Sequence, residues 1–147
     1  MDIERLKHQH VGILTGVATM RRLSHAGIVE NAAKLAEELK SLGGTITTHL
    51  AIEDRVLYPS LFKHGNQKIV DMAHAYQSEM QGITNAFVDF SRRWSSADEI
   101  TRDPEGFRDH ANTALKALHI RMQKENKEFY PTIEALQIPL GAHNTPT

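Results

Sequence analysis

The sequence contains no cysteine, which excludes disulfide bonds, thiolate zinc sites, cysteine-ligated iron–sulfur clusters and cysteine nucleophiles. Five prolines and nine glycines are too few for a low-complexity or collagen-like chain. A formal net charge of −1 provides no global field to attract nucleic acid or an anionic membrane. No apolar run approaches the length of about 18 residues that a membrane span needs, and the first residues do not form a signal peptide. We therefore expect a cytoplasmic protein that binds neither nucleic acid nor membrane.

The rest of the composition is typical of one globular domain, with 40% hydrophobic and 24% charged residues. We expect a single bundle domain over residues 1–138 and a short flexible tail over 139–147. The chain has no phosphate-binding loop, no serine nucleophile elbow and no dinucleotide-binding glycine pattern. Its unusual feature is the count of nine histidines, so the positions of these histidines on the predicted helices bear directly on function.

Apolar residues recur at steps of three and four along four segments, which predicts helices near 2–23, 28–63, 67–94 and 104–136. Gly27 lies at the first break, and Asp103-Pro104 has the cap and first-turn pattern of a helix start. The polar stretch 95–102 is predicted to be the longest internal loop. The predicted fold class is all-α, an up-down-up-down antiparallel four-helix bundle.

Two segments of the second and fourth predicted helices match each other without a gap, at an offset of 72 residues. Residues 49–59 align with residues 121–131, so that Glu53 matches Glu125 and a Tyr-Pro pair occurs in both segments. The apolar stripes before them follow the same offset. This match suggests a duplicated two-helix unit.

The stripes that face the predicted core also contain polar residues, and burying a bare charge costs several kcal/mol unless it is paired or ligated. These residues are His10, His49, Glu53, Glu79, Arg121 and Glu125. His49 and Glu53 are four residues apart, hence one turn apart on one helix face. An imidazole and a carboxylate at this spacing can bind the same metal ion, and this pair of ligand types suits iron, manganese or zinc. The pattern therefore predicts a metal site inside the bundle.

At this point the chain resembles a known family. His10, the His49-x-x-x-Glu53 motif and the following Leu57-Tyr58-Pro59 are similar to the hemerythrin-like, or HHE cation-binding, domain. The resemblance covers roughly residues 3–136. It implies a four-helix bundle that holds a non-haem di-iron centre. Members of the family are associated with oxygen binding, with sensing of oxygen or iron, and with responses to nitric oxide or peroxide.

The second half departs from the family pattern, which has a second His-x-x-x-Glu motif on the fourth helix and a histidine on the third. One assignment follows residue type and takes His74 and His119 as the missing ligands. His119 is six residues before Glu125, which places the two side chains some 120° apart around a helix. Gln123 has the correct spacing after His119 but offers only a neutral amide.

The other assignment follows the register of the repeat. Arg121 then takes the histidine position, Glu125 keeps the carboxylate and Glu79 projects from the third helix. We prefer this assignment because it needs no insertion and keeps the apolar stripe intact. An arginine there repels a metal ion, pairs with a carboxylate to leave a one-metal site, or stabilises a bound anion. The predicted metal ligands are His10, His49, Glu53, Glu79 and Glu125.

We therefore expect a protein that binds one or two non-haem iron ions, with a di-iron centre favoured, and that binds or senses oxygen, nitric oxide, peroxide or iron. A diatomic molecule is the expected partner, the sequence defines no protein partner, and a binding protein is favoured over an enzyme. Two alternatives stay open. One is a di-iron redox or stress-repair enzyme, and the other is a metal-free helical interaction module in which an ionic core has replaced the site.

Overall fold

The structure, a computed structural model, describes residues 3–136, and all regular secondary structure in that range is helical. The elements are α1 (Ile3–Ala26), α2 (Ala32–Ile52, continuing through a π-helical turn at Glu53–Leu57 into Tyr58–Phe62), α3 (Gln67–Arg93), α4 (Ala97–Arg102) and α5 (Pro104–Lys124, continuing through a π-helical turn at Glu125–Phe129 into Tyr130–Leu136). The long helices α1, α2, α3 and α5 pack antiparallel, which confirms the predicted bundle. The predicted tail over 139–147 lies outside the described residues.

Local chemistry explains where the helices begin and end. Gly27 follows α1 with a φ of 138°, a backbone conformation that side-chain-bearing residues rarely adopt, and it lets the chain turn toward α2. The side chain of Asn66 accepts a hydrogen bond from the N–H of Lys68 at the start of α3. Asp103 caps α5 in the same way, with Pro104 in the first turn. The sequence signals at Gly27 and Asp103 are thus confirmed.

The prediction of a loop over residues 95–102 is wrong, because Ala97–Arg102 forms the short helix α4. The hydroxyl of Ser96 accepts a hydrogen bond from the N–H of Glu99, which is the N-cap interaction of a Ser-x-x-Glu sequence. Ile100 provides the apolar anchor and is fully buried. The capping signal was present in the sequence, but one buried residue in six is too little for a recognisable helical period.

The core consists of two apolar parts with a polar layer between them. The larger part contains the inward residues of α1 after His10, together with those of α2 before His49 and most of those of α3 and α5. The smaller part lies at the opposite end and comprises Ile3, Leu6, Leu57, Tyr58, Leu61, Ala73, Phe129, Tyr130 and Ile133. Along α1, His10 lies between Leu6 of the small core and Ile13 of the large core. The polar side chains predicted from the stripes therefore lie between the two parts of the core.

Close approach of α1 and α2 positions this layer. A Cβ atom added at Gly16 would lie 2.9 Å from Cδ1 of Leu42, so the glycine lets the two helices pack tightly. Gly16 is about two turns from His10 along α1. The contact holds the helix that carries His10 against the helix that carries His49.

Within residues 3–136, no helix has both the length and the apolar character needed to cross a membrane.

Replacing a core leucine tests the packing. Leu35→Ala removes a fully buried side chain from the large core, so we expect the free energy of unfolding to fall by about 2–5 kcal/mol. Val11→Ala is the matched control, because Val11 is 60% exposed and its truncation leaves no cavity. Urea denaturation followed by circular dichroism measures both. Equal losses in the two variants would contradict this assignment of the core.

Candidate metal centre

Two π-helical turns shape the centre, and they begin at Glu53 and Glu125, the residues that the repeat aligns. Each turn is followed by a Tyr-Pro pair. The proline has no N–H to form the regular helical hydrogen bond, and its ring crowds the carbonyl four residues earlier. The helix widens there, and the N–H of Tyr58 donates to the carbonyl of Glu53 instead. Tyr130 and Glu125 repeat this bond. A wider turn places residues five apart on nearly the same face, so each glutamate and the tyrosine that follows it both point into the bundle.

Four metal-binding side chains converge in the polar layer. His10 comes from α1, His49 and Glu53 from α2, and Glu125 from α5, and all four side chains are fully buried. One ligand atom from each lies within 4.8 Å of all the others. The Nε2 atoms of the two histidines are 3.1 Å apart, and Nε2 of His10 is 2.8 Å from Oε1 of Glu125. Nε2 of His49 is 3.3 Å from Oε2 of Glu53.

Amide side chains orient both imidazole rings. Nδ1 of His10 donates to Oδ1 of Asn126 at 2.8 Å, and Nδ1 of His49 donates to Oε1 of Gln9 at the same distance. In its neutral form, which is the form that binds a metal, each ring therefore carries its proton on the outside and directs the Nε2 lone pair toward the centre. Two lone pairs that face each other repel unless a cation or a proton lies between them. The arrangement is the one that metal-ligating histidines adopt.

A second observation also fits a cation. Oε1 of Glu53 is buried and has no hydrogen-bond partner among the described residues. An ionised carboxylate oxygen without a partner is costly inside a protein. A metal ion bound by His10, His49, Glu53 and Glu125 provides the missing positive charge. The donor set therefore fits a cation.

Tyr130 adds a hydroxyl to the centre. Its oxygen is 2.9 Å from Oε2 of Glu53 and 3.0 Å from Nε2 of His10. Burial, together with the charges of Glu53 and Glu125, raises the pKa of Tyr130 far above its usual value. The phenol therefore stays protonated and donates a hydrogen bond to the Glu53 carboxylate. This bond holds one oxygen of Glu53 in place across the interface of α2 and α5.

Arg121 borders the four donors and is also fully buried. Its Nε donates to Oε2 of Glu125 at 2.8 Å, and its Nη1 donates to Oε1 of Glu79 at 3.0 Å. Burial by itself would raise the pKa of Glu125, but hydrogen bonds from His10 and His49 and the charge of Arg121 lower it overall. Glu125 therefore stays ionised, with one oxygen toward the histidines and the other on the guanidinium.

The structure brings together four of the five side chains predicted as ligands and places Glu79 apart from them. The Glu79 side chain is 51% exposed, and its carboxylate accepts from Arg121 and from Lys124 at 3.3 Å. The alternative ligands are also outside the cluster. His74 is exposed and stacks on Phe62, and neither it nor His119 belongs to the group of donors.

Gln9 and Asn126 are the functional residues that the sequence reasoning missed. Gln9 directly precedes His10 but orients His49 on α2. Asn126 directly follows Glu125 but orients His10 on α1. Both are half-buried amides beside a core-facing stripe, and this position is the one signal that could have indicated them. Which ring each amide contacts depends on how the helices are rotated in the bundle.

A helical bundle with histidines and carboxylates gathered in its core defines a class of cation-binding proteins. Residues 1–133 match the model of the hemerythrin HHE cation-binding domain. The chain belongs to this family, as the resemblance of its motifs predicts. No curated protein and no solved structure shows a significant match to the chain.

In the metal-free protein we expect stability to decrease as the pH rises from about 6.5 to about 9. Burial alone lowers the pKa of His49, but hydrogen bonds and charges from Glu125 and Glu53 outweigh it and raise this pKa from 6.5 to about 9. Protonated His49 then stabilises the folded state by up to about 3 kcal/mol. That contribution is complete below the unfolded pKa and disappears as the pH passes the folded pKa.

Urea denaturation in the presence of a chelator, repeated across this pH range, measures the effect. His49→Gln is the control, because it keeps a polar side chain but does not titrate. A wild-type stability with the same pH slope as the variant would show that His49 is not charged in the metal-free protein.

Proposed function

We propose that this chain is a non-haem iron protein whose buried centre binds or senses a small ligand, with oxygen, nitric oxide and peroxide as the candidate class. The observation that carries the proposal is the convergence of two imidazole Nε2 atoms and two carboxylates in one fully buried layer. Nitrogen and oxygen ligands in this mixture suit iron. When bound there, iron supplies a one-electron couple and coordination positions that the four side chains leave free.

Burial of the donor side chains favours a small ligand. The donor atoms are fully buried, so a bulky substrate cannot reach them without opening the bundle. A pocket of about 100 Å³ between α2 and α3 includes Tyr58, Leu50 and Met80 in its lining. That volume is far below the range of roughly 300–1,000 Å³ that drug-sized ligands require. None of the four donors lines this pocket, and its volume is sufficient for a diatomic molecule or peroxide next to Tyr58.

The orphaned oxygen of Glu53 argues against a metal-free interaction module. A purely structural ion network would be expected to satisfy each of its buried polar atoms, because an unpaired one destabilises the fold. Here Tyr130 and His49 contact Oε2 of Glu53, while Oε1 has no partner among residues 3–136. A network completed by a cation accounts for this atom.

Removing one histidine of the cluster tests the proposal. We expect anaerobically reconstituted His49→Ala to retain less than about a tenth of the iron of the wild-type protein, since loss of a ligand weakens binding strongly. His119→Ala is the matched control, because His119 is another histidine of the bundle but lies outside the cluster. Metal analysis gives the iron content of each protein, and circular dichroism confirms that each is folded.

Addition of nitric oxide to the Fe(II) protein tests the ligand class. We expect new visible absorption and an electron paramagnetic resonance signal in the wild-type protein and in His119→Ala, and neither change in His49→Ala. Iron content that is equal in wild type and His49→Ala would overturn the metal site. Iron binding without any response to nitric oxide, oxygen or peroxide would overturn the proposed class of ligand.

A further inference from the structure

We infer that the guanidinium of Arg121 takes the place of a second metal ion, so that the centre holds one metal ion per chain. This inference rests on the proposed function, because it concerns how many ions the same site binds. It follows from the internal repeat, which gives the bundle two related half-sites. One half-site comprises His10, His49 and Glu53, and the other has Glu125 but no histidine at the two corresponding positions.

The first pair of helices carries the intact half-site, and the second pair shows what replaced it. α2 and α5 correspond at an offset of 72, which aligns His49 with Arg121. α1 and α3 correspond at an offset of 70, because the inward positions 3, 6, 10, 13, 17 and 20 have the same spacing as 73, 76, 80, 83, 87 and 90. This offset aligns His10 with Met80, which is only 2% exposed. A methionine and an arginine therefore occupy the two histidine positions.

Neither replacement is a ligand for iron in this setting. The thioether of Met80 is a soft donor that suits Cu(I) rather than Fe(II) or Mn(II). The guanidinium of Arg121 stays protonated, and its nitrogens act as donors of hydrogen bonds without accepting them. The second half-site has thus exchanged two neutral metal ligands for an apolar side chain and a permanent cation.

The guanidinium is held too firmly to move aside for a metal. Besides its bonds to Glu125 and Glu79, Nη2 donates to the carbonyl of Tyr76 at 2.7 Å and to the hydroxyl of Tyr58 at 3.4 Å. These contacts come from α2, α3 and α5, and the side chain is fully buried. Removing such a group from its partners would leave several buried polar atoms unsatisfied.

Glu125 shows how the guanidinium replaces an ion. Its Oε1 faces Nε2 of His10 at 2.8 Å, whereas its Oε2 accepts from Nε of Arg121, also at 2.8 Å. The carboxylate therefore bridges the intact half-site and the guanidinium, as a carboxylate bridges two cations. A second metal ion would compete with Arg121 for the same oxygen.

The buried charges agree with a single ion. Among the described residues, three charged side chains are fully buried: Glu53, Glu125 and Arg121. Their two negative charges and one positive charge leave one net negative charge when the histidines are neutral. One divalent ion changes this to one net positive charge. Two divalent ions would leave three net positive charges in the bundle interior. Only the half-exposed Glu79 lies beside them, so burying this positive charge is strongly unfavourable. A one-ion centre offers a single one-electron couple, which suits binding or sensing better than two-electron redox chemistry.

Anaerobic titration of the wild-type protein is the first test. We expect Co(II), followed by its visible absorption, and Fe(II), followed by metal analysis, to saturate at one ion per chain. Mn(II) in the same site should give the electron paramagnetic resonance spectrum of an isolated ion. Saturation at two ions, or a spin-coupled Mn(II) spectrum, would overturn the inference while leaving the proposed iron site standing. No binding by the wild-type protein would overturn both.

Restoring the two histidines is the second test. We expect the double variant Met80→His/Arg121→His to bind two ions per chain and to give a spin-coupled Mn(II) spectrum, because it rebuilds the second half-site. Lys124→Gln is the matched control. Within residues 3–136, the Lys124 amine bonds to Glu79 but to neither Glu53 nor Glu125, so this variant should bind one ion.

A double variant that folds and still binds one ion would overturn the role given to Arg121 and Met80. Gain of a second ion by Lys124→Gln would also overturn it, because general loss of positive charge would then be sufficient. Circular dichroism distinguishes a folded variant from an unfolded one. If the double variant does not fold, the wild-type stoichiometry still decides the inference.

Discussion

Burial of the carboxylates of Glu53 and Glu125 in the middle of the bundle is the constraint on which the rest of the structure depends. The negative charge of an ionised carboxylate in an apolar core must be balanced by hydrogen bonds or positive charge. The other polar residues of the layer contribute to this balance. Arg121 pairs with one oxygen of Glu125, and Tyr130 donates to one oxygen of Glu53. Of the other two oxygens, Oε1 of Glu125 faces His10, and Oε1 of Glu53 has no partner among residues 3–136. The centre is therefore arranged around the place where positive charge is still missing.

The helices that carry these carboxylates are adapted to present them. Both contain a proline shortly after the glutamate, and both widen into a π-helical turn at that point. Proline in the interior of a helix normally destabilises it. In this protein the widened turn allows a glutamate and the tyrosine five residues later to share the bundle interior. The same local irregularity in both halves gives the polar layer its approximate symmetry, and the unequal residues at positions 49 and 121 break that symmetry.

Several features followed from the sequence because they depend on local chemistry or on periodic burial. The four long helices were predictable from apolar spacing, and the start of α5 was predictable from Asp103. The short helix α4 was missed because a six-residue segment with one buried side chain has too little periodicity. The placement of Glu79 was also not predictable. It lies beside Met80 at the edge of the stripe, and helix rotation puts Met80 in the core and Glu79 at the surface.

The sequence alone determined the fold family, the helical pairing of Glu53 with His49 and the equivalence of Glu125 with Glu53, because these depend on spacing along the chain. The tertiary structure alone decided which atoms meet. It paired Gln9 with His49 and Asn126 with His10, and it placed Arg121 on one oxygen of Glu125. It left one oxygen of Glu53 without a partner in the described part of the chain. These contacts join residues from different helices. They depend on the rotation and translation of each helix in the bundle, which packing of the whole core sets and which no local pattern encodes.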